Sequence, residues 1–219
     1  MAELNSQSEN KIQTLITQHI DLWTGAVKDK SSAGRGGSSK RELYGIKKLR
    51  ELILELAVRG KLVAQDPDDE PASVLLERIA AEKEELVKQG KIKKPKKLPE
   101  ISEEEKPFEL PQGWEWCRIQ EVGHDLGQKQ PQESFSYIDV GSIDKVFGVV
   151  QSPSVIEAAD APSRARKTVK QGTVIYSTIR PYLLNIAIID KQFEPKPIAS
   201  TAFAIVHPWS GIVGDYVYR

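Results

Sequence analysis

The apolar positions of this chain change rhythm near its midpoint. Up to about residue 90 they recur at helical spacing, and beyond residue 110 they come in short runs. Residues 11–27 place Ile12, Leu15, Ile16, His19, Ile20 and Trp23 on one helical face, with a stop expected near Gly25. On that face His19 reads as a packed or interface side chain rather than a ligand. Residues 41–59 predict the strongest helix. Ile46, Leu49, Ile53 and Leu56 follow a 3-4-3 spacing, an a/d seam with charged flanks and Leu52 beside it. Gly60 supplies a natural stop. At ~1.5 Å per residue the helix is ~28 Å long. Two heptads do not specify a long coiled coil alone, so the helix must pack against others. An ordinary amphipathic core helix explains the spacing equally well. A further helix is predicted from Pro71, suited to a first helical turn, to Gly90. Its apolar positions are Leu75, Leu76, Ile79, Leu86 and Val87.

The segments between these helices are polar. Residues 30–40, KSSAGRGGSSK, read as a flexible Gly/Ser linker. The GRGG within it lacks the GxxxxGK[ST] pattern and a preceding strand, so it is not a phosphate loop. Residues 91–109 form a charged, proline-containing linker, basic first and then acidic. Its basic run, Lys91–Lys97, suits either DNA phosphate or plain solvation.

From Leu110 the texture is β-rich. LPQGWEWCRI predicts an opening turn and a first strand, with Trp114 and Trp116 on one face as core or docking residues. Residues 137–143, 146–150, 173–179, 183–189 and 202–206 are further strand-like runs bounded by turn residues. Residues 211–219 look like the start of another element, so the β domain is expected to be incomplete. The predicted class is α+β: N-terminal helices with coiled-coil-like packing, then a mainly β domain. The expected segments are 1–29, 30–40, 41–90, 91–109 and 110–219.

Composition narrows the function. The 219 residues carry a net charge of +0, which argues against indiscriminate nucleic-acid binding but leaves room for a local basic face. The single cysteine, Cys117, has no partner for a disulfide or a CxxC site, which fits a reducing cytoplasm. No signal-peptide-like apolar run opens the sequence, and no stretch has the length of a membrane span.

Catalytic patterns are missing. There is no HExxH, GxSxG, Walker motif or His/Cys metal spacing. Nor is there a GxG loop after a strand for S-adenosylmethionine, or an NPPY- or DPPY-type tetrapeptide. His19, His124 and His207 lie in three unrelated contexts, with His124 expected in a surface turn and poorly supported as a general base. Asp139 and Asp144 can accept from a cytosine amino group, though turn capping is the simpler role for Asp144.

The most informative stretch is residues 162–188, PSRARKTVKQGTVIYSTIRPYLLNIAI. Arg164, Arg166, Lys167 and Lys170 are phosphate candidates. Arg180, Tyr182 and Asn185 are candidates for base readout, with Ser177 and Thr178 as additional hydrogen-bonding groups. They sit at the ends of two apolar runs, which suggests DNA reading on a rigid scaffold rather than a catalytic centre.

Taken together, these blocks resemble the specificity subunit of type I restriction-modification systems. The helical part resembles the family's conserved helical region. LPQGWEW, YIDVGSID, APSRARKTVKQGTVIYSTIRPYLLNIAI and IASTAFAIVHP resemble, in order, the start of a target recognition domain. The resemblance spans roughly residues 10–210. It implies two recognition domains per complete subunit, separated by long helices that pair as a ruler, each domain reading half of a split site in double-stranded DNA. It also implies modification (methyltransferase) subunits that flip and methylate adenine with S-adenosylmethionine. Restriction (motor-nuclease) subunits would add ATP- and Mg-dependent cleavage. The chain itself is then non-catalytic, with no cofactor of its own. This sequence holds at most one recognition domain and one helical block. Two copies forming a homodimer would restore two-fold symmetry. A truncated, DNA-inactive scaffold that binds modification subunits through its helices is the alternative.

Overall fold

A computed structural model describes residues 14–30, 40–92 and 94–219. The chain forms two compact units: Met1–Ala72 with Ile101–Glu115, and Ser73–Glu100 with Trp116–Arg219. The helical stretch expected over 41–90 is therefore shared between them.

The first unit contains a helical turn at residues 14–18 and α1 (Ile20–Gly25). Ile12 lies outside the described residues, and His19 is exposed rather than packed. Strands β1 (Lys28–Lys30) and β2 (Lys40–Glu42) pair antiparallel, Lys28 opposite Glu42. The ends of the expected linker are thus paired strands, and 31–39 lie outside the described residues. Backbone pairing needs no apolar side chain, so the composition concealed it. Helix α2 spans Tyr44–Val58. Gly45 meets α1 at close range: a Cβ there would lie 2.1 Å from the Trp23 carbonyl oxygen. Of the predicted seam, Leu49 is buried, while Ile46, Ile53 and Leu56 are half-buried.

Gly60 ends α2 as expected. It has φ of +63°, its N–H donates to Ala57 O at 3.0 Å, and the Lys61 N–H donates to Leu56 O at 2.8 Å. These two bonds are the Schellman pattern. Part of the expected 91–109 linker packs here. Arg59 lies over the Phe108 ring at 5.3 Å, and Trp114 Nε1 donates to Gln65 Oε1 at 2.7 Å.

The second unit takes nearly all of α3 (Ala72–Lys88), which ends at Gly90 with the same pair of bonds. Its buried Ile79 lies on the helix face that also carries Leu75 and Lys83. Lys83 Nζ donates to Glu121 O at 2.6 Å and to Gln120 O at 3.2 Å. Leu75 lies against Gly211, where a Cβ would come within 2.8 Å of its Cδ1.

The predicted first strand over LPQGWEWCRI does not form. Residues 114–118 are irregular and lead into α4 (Ile119–Val122). The Arg118 N–H donates to Glu121 Oε2 at 2.7 Å, which favours a helix start over a strand. Trp114 and Trp116 fall in different units and share no strand face.

Ten strands follow: β3 (Gly123–His124), β4 (Phe135–Ile138), β5 (Ile143–Asp144), β6 (Val149–Val150), β7 (Ser154–Ile156), β8 (Ala165–Thr168), β9 (Val174–Ser177), β10 (Ile186–Ile188), β11 (Pro197–Ser200) and β12 (Phe203–Pro208). A short helix, α5 (Gly214–Tyr218), follows β12. One sheet has the order β3-β12-β9-β10-β6-β5 and the other β7-β4-β11-β8. Their apolar faces form a core around Ile138, Val150, Ile175, Ile189, Phe203 and Ile205.

Several predicted strands are shorter than their apolar runs. The 137–143 run breaks at a 3₁₀ turn, Val140–Ser142, because Asp139 Oδ1 accepts from the Ser142 N–H at 3.1 Å. The 183–189 run begins as a strand only at Ile186, after a 3₁₀ turn at Pro181–Leu183. The apolar runs do not predict β3, β7, β8 or β11. The first three are edge strands, where charged residues are tolerated and the apolar signal fades, whereas β11 is an interior strand of only four residues.

Candidate nucleic-acid interface

Pairing direction decides which residues meet. β10 is antiparallel to β9 and parallel to β6. The 178–184 loop between β9 and β10 and the 145–148 turn between β5 and β6 therefore lie at one end of the sheet. β12 also begins at that end, with Phe203 opposite Ser177. Thr201 donates its N–H to Arg164 O at 2.8 Å, which brings the start of β8 there too.

The 178–184 loop is built on a buried base. The Ser177 N–H donates to Asn185 O at 2.9 Å, and Ser177 Oγ donates to Ile179 O at 3.0 Å. Thr178 donates twice to Ala202 O, from its backbone N–H and from Oγ1, both at 2.9 Å. Above this base, Arg180 (φ 51°) and Leu184 (φ 50°) hold left-handed backbone and bracket the Pro181–Leu183 turn. Such a conformation costs a non-glycine residue roughly 1–2 kcal/mol. Strain of this kind collects at sites of binding or switching.

The candidate residues separate accordingly. Tyr182 is 74% exposed and Arg180 is also exposed, both on the tip. Thr178 is exposed, though its hydroxyl is engaged with Ala202. Ser177 and Asn185 are buried beneath, Asn185 only 3% exposed, so they shape the loop instead of presenting a surface.

The four cations of 164–170 do not form one patch. Residues 164 to 170 span ~20 Å when extended at ~3.3 Å per residue. Arg164 is exposed at the tip end. Arg166 and Lys167 are half-buried along β8, and Lys167 is ion-paired with Asp125. Lys170 reaches the opposite end of the unit. There it helps line an open groove of about 800 Å³ with Lys129, Lys196, Gln130, Gln171 and Gln192.

The apolar character of Val146 and Phe147 predicts a strand, yet they form the tip of the 145–148 turn. The Asp144 carboxylate accepts from the Val146 N–H at 2.8 Å and the Phe147 N–H at 3.1 Å. This is the capping role expected for Asp144. The signal available in the sequence was an Asp four residues before a Gly.

His124 is not in a surface turn. It stacks on Trp209 with ring centroids 4.0 Å apart, and its ring meets His207 edge-on at 5.5 Å. The Lys83 ammonium lies 5.4 Å from the Trp209 ring centroid. His207 Nδ1 is 3.0 Å from Thr173 Oγ1. Burial, then Lys170 and His124, push the His207 pKa down to about 4, and burial is the main cause of a lowered value at His124. Burial also lowers Lys83. These groups anchor α3 to the sheet. Among the described residues no three His, Cys, Asp or Glu side chains converge as a metal site, and no helix is long and apolar enough to cross a membrane.

Fold and site define an α+β chain whose β unit holds a strained loop, hydrogen-bonded at its base, out to solvent beside exposed cations. No protein-family profile matches it. It is 62% identical over 207 residues to the type I restriction enzyme EcoAI specificity subunit of Escherichia coli, covering 92% of this chain and 35% of that protein. It is 70% identical over 111 residues to the EcoEI specificity subunit of the same organism, covering 51% of this chain and 19% of that one. Among solved structures it is similar to the HsdS subunit from Thermoanaerobacter tengcongensis, with a TM-score of 0.46 at 34% identity, covering 51% of this chain and 30% of that one. The chain is thus a relative of type I restriction enzyme specificity subunits. It spans about a third of the length of the first of these relatives.

Proposed function

We propose that this chain recognises one half of a split site in double-stranded DNA and directs adenine methylation and restriction by partner subunits. The observation that carries the reading is the 62% identity to a specificity subunit across 92% of the chain. The strained tip with Arg180 and Tyr182, and Arg164 beside it, supports it. Arg180 suits guanine O6 and N7, or a phosphate; Arg164 suits phosphate. Ser177, Thr178 and Asn185 hold the loop, and Lys170 with its groove offers a second, distal phosphate surface. Arg166 adds positive charge along β8, whereas Lys167 beside it is already neutralised by Asp125.

The chain acts without catalysis of its own. S-adenosylmethionine, ATP and Mg belong to the modification and motor-nuclease subunits, and the complex works in the cytoplasm. Where a second recognition domain is lacking, two copies pair.

The test is to co-express the chain with a type I modification subunit and map N6-methyladenine across the host genome. A split motif is the expected result, and a palindromic one indicates a homodimer. No methylation with the two proteins still co-purifying would overturn the reading in favour of a DNA-inactive scaffold.

A further inference from the structure

We infer that the Lys145–Phe147 turn is a second DNA-contacting prong beside the 178–184 loop, with Phe147 wedging into a base step from the groove. This rests on the DNA-recognition reading and adds a contact that the sequence motifs did not indicate.

Val146 is 82% exposed and Phe147 75% exposed. Single exposed apolar residues are ordinary. Here the backbone is fastened to keep two of them outward. Asp144 caps both of their amides, and the Gly148 N–H donates to Asp144 O at 2.7 Å. Gly148 itself has φ of +67°, and a Cβ there would lie 1.8 Å from the Tyr218 hydroxyl. The turn is therefore preorganised, which lowers the ordering cost of any contact it makes.

Strand direction sets this turn at the same sheet end as Ile179, Tyr182, Leu183 and Leu184, all exposed. These apolar residues lie at one end of the sheet rather than scattered over the unit. Exposed cations accompany them there. Lys145, Arg164 and Arg180 are exposed, and among the described residues their side chains form no ion pair. An apolar wedge edged by cations matches a duplex, where an apolar side chain can enter from a groove and part a base step while cations meet the flanking phosphates. It matches a protein partner less well, since that surface would need an acidic rim.

The experiment uses the complex of this chain with its modification subunit. The probe is a duplex carrying the motif recovered from the wild-type methylation map. Phe147→Ala should weaken binding about tenfold, the order expected when an apolar wedge at a base step is removed and the unstacking it required no longer opposes binding. Its salt dependence should stay unchanged, because no charge is removed. Phe147→Trp should retain wild-type affinity, and melting temperatures should match because the side chain is exposed. Wild-type affinity in Phe147→Ala overturns the inference alone. Loss of the modification subunit from that variant overturns it too, by making the turn a protein contact. Failure of the wild-type complex to methylate or bind any sequence overturns the DNA reading, and this inference with it.

Discussion

The Tyr218 hydroxyl occupies the space that a side chain on Gly148 would need: a Cβ there would lie 1.8 Å from the hydroxyl oxygen and 2.2 Å from the ring carbon bearing it. The last helix of the chain thereby braces the turn that carries Phe147. Gly148→Ala adds left-handed strain, worth roughly 1–2 kcal/mol, to this collision. Chemical unfolding should show a loss of at least that size. Combining it with Tyr218→Ala should relieve the collision but leave the strain.

The same reasoning gives the opposite sign at Arg180. Its left-handed backbone is strained, and glycine removes that strain while adding freedom to the unfolded chain. Arg180→Gly should leave stability unchanged or raise it by up to about 1 kcal/mol. Duplex binding should fall in the same protein. A marked loss of stability in urea titration would show that the Arg180 side chain holds the loop.

Ile79, only 2% exposed, lies between Leu75 and Lys83 on the face of α3 that meets Gly211, Trp209 and the Gln120 and Glu121 carbonyls. Ile79→Ala should cost about 2–4 kcal/mol, the removed methyl groups plus the cavity they leave. Val74, on the open side of the same helix, should tolerate alanine within about 0.5 kcal/mol. Equal effects at the two positions would be inconsistent with this docking.

Acid should loosen the same region. His207 titrates at about 4 in the folded protein against 6.5 when unperturbed, and His124 is lowered as well. Between those pH values the unfolded chain binds more protons than the folded one, so stability falls as pH drops through this window and levels off below about 4. Discounted for partial solvent exposure, the effect is on the order of 1 kcal/mol. His207→Gln should flatten the dependence of melting temperature on pH across that range. An unchanged slope would place the responsible group elsewhere.

Phosphate contacts can be separated from base contacts by salt. If Arg164 neutralises one phosphate, Arg164→Ala should reduce the slope of log affinity against log salt by about 0.9 and weaken all duplexes alike. Tyr182→Ala should leave the slope intact and relax sequence preference instead. Identical behaviour of the two variants would contradict the separation of roles at the tip.

The sequence by itself determined what depends on neighbours a few residues apart. Helices α2 and α3 and their glycine stops at Gly60 and Gly90 were legible because a helix and its cap bond residues three to five positions apart. The capping role of Asp144 was legible for the same reason. The family resemblance came from the order of such blocks along the chain. Only the tertiary structure decided which candidates reach solvent. Asn185 and Tyr182 look equally polar in the chain, yet one is buried under the loop and the other stands on it. Arg164 and Lys170 look like one basic cluster, yet β8 carries them to opposite ends. The left-handed backbone of Arg180 and Leu184 had no glycine to announce it. The meeting of the 145–148 turn with the 178–184 loop depends on β6 pairing with β10, nearly forty residues away in the chain. Strand pairing is set by which distant apolar faces bury together. No local residue pattern records that choice.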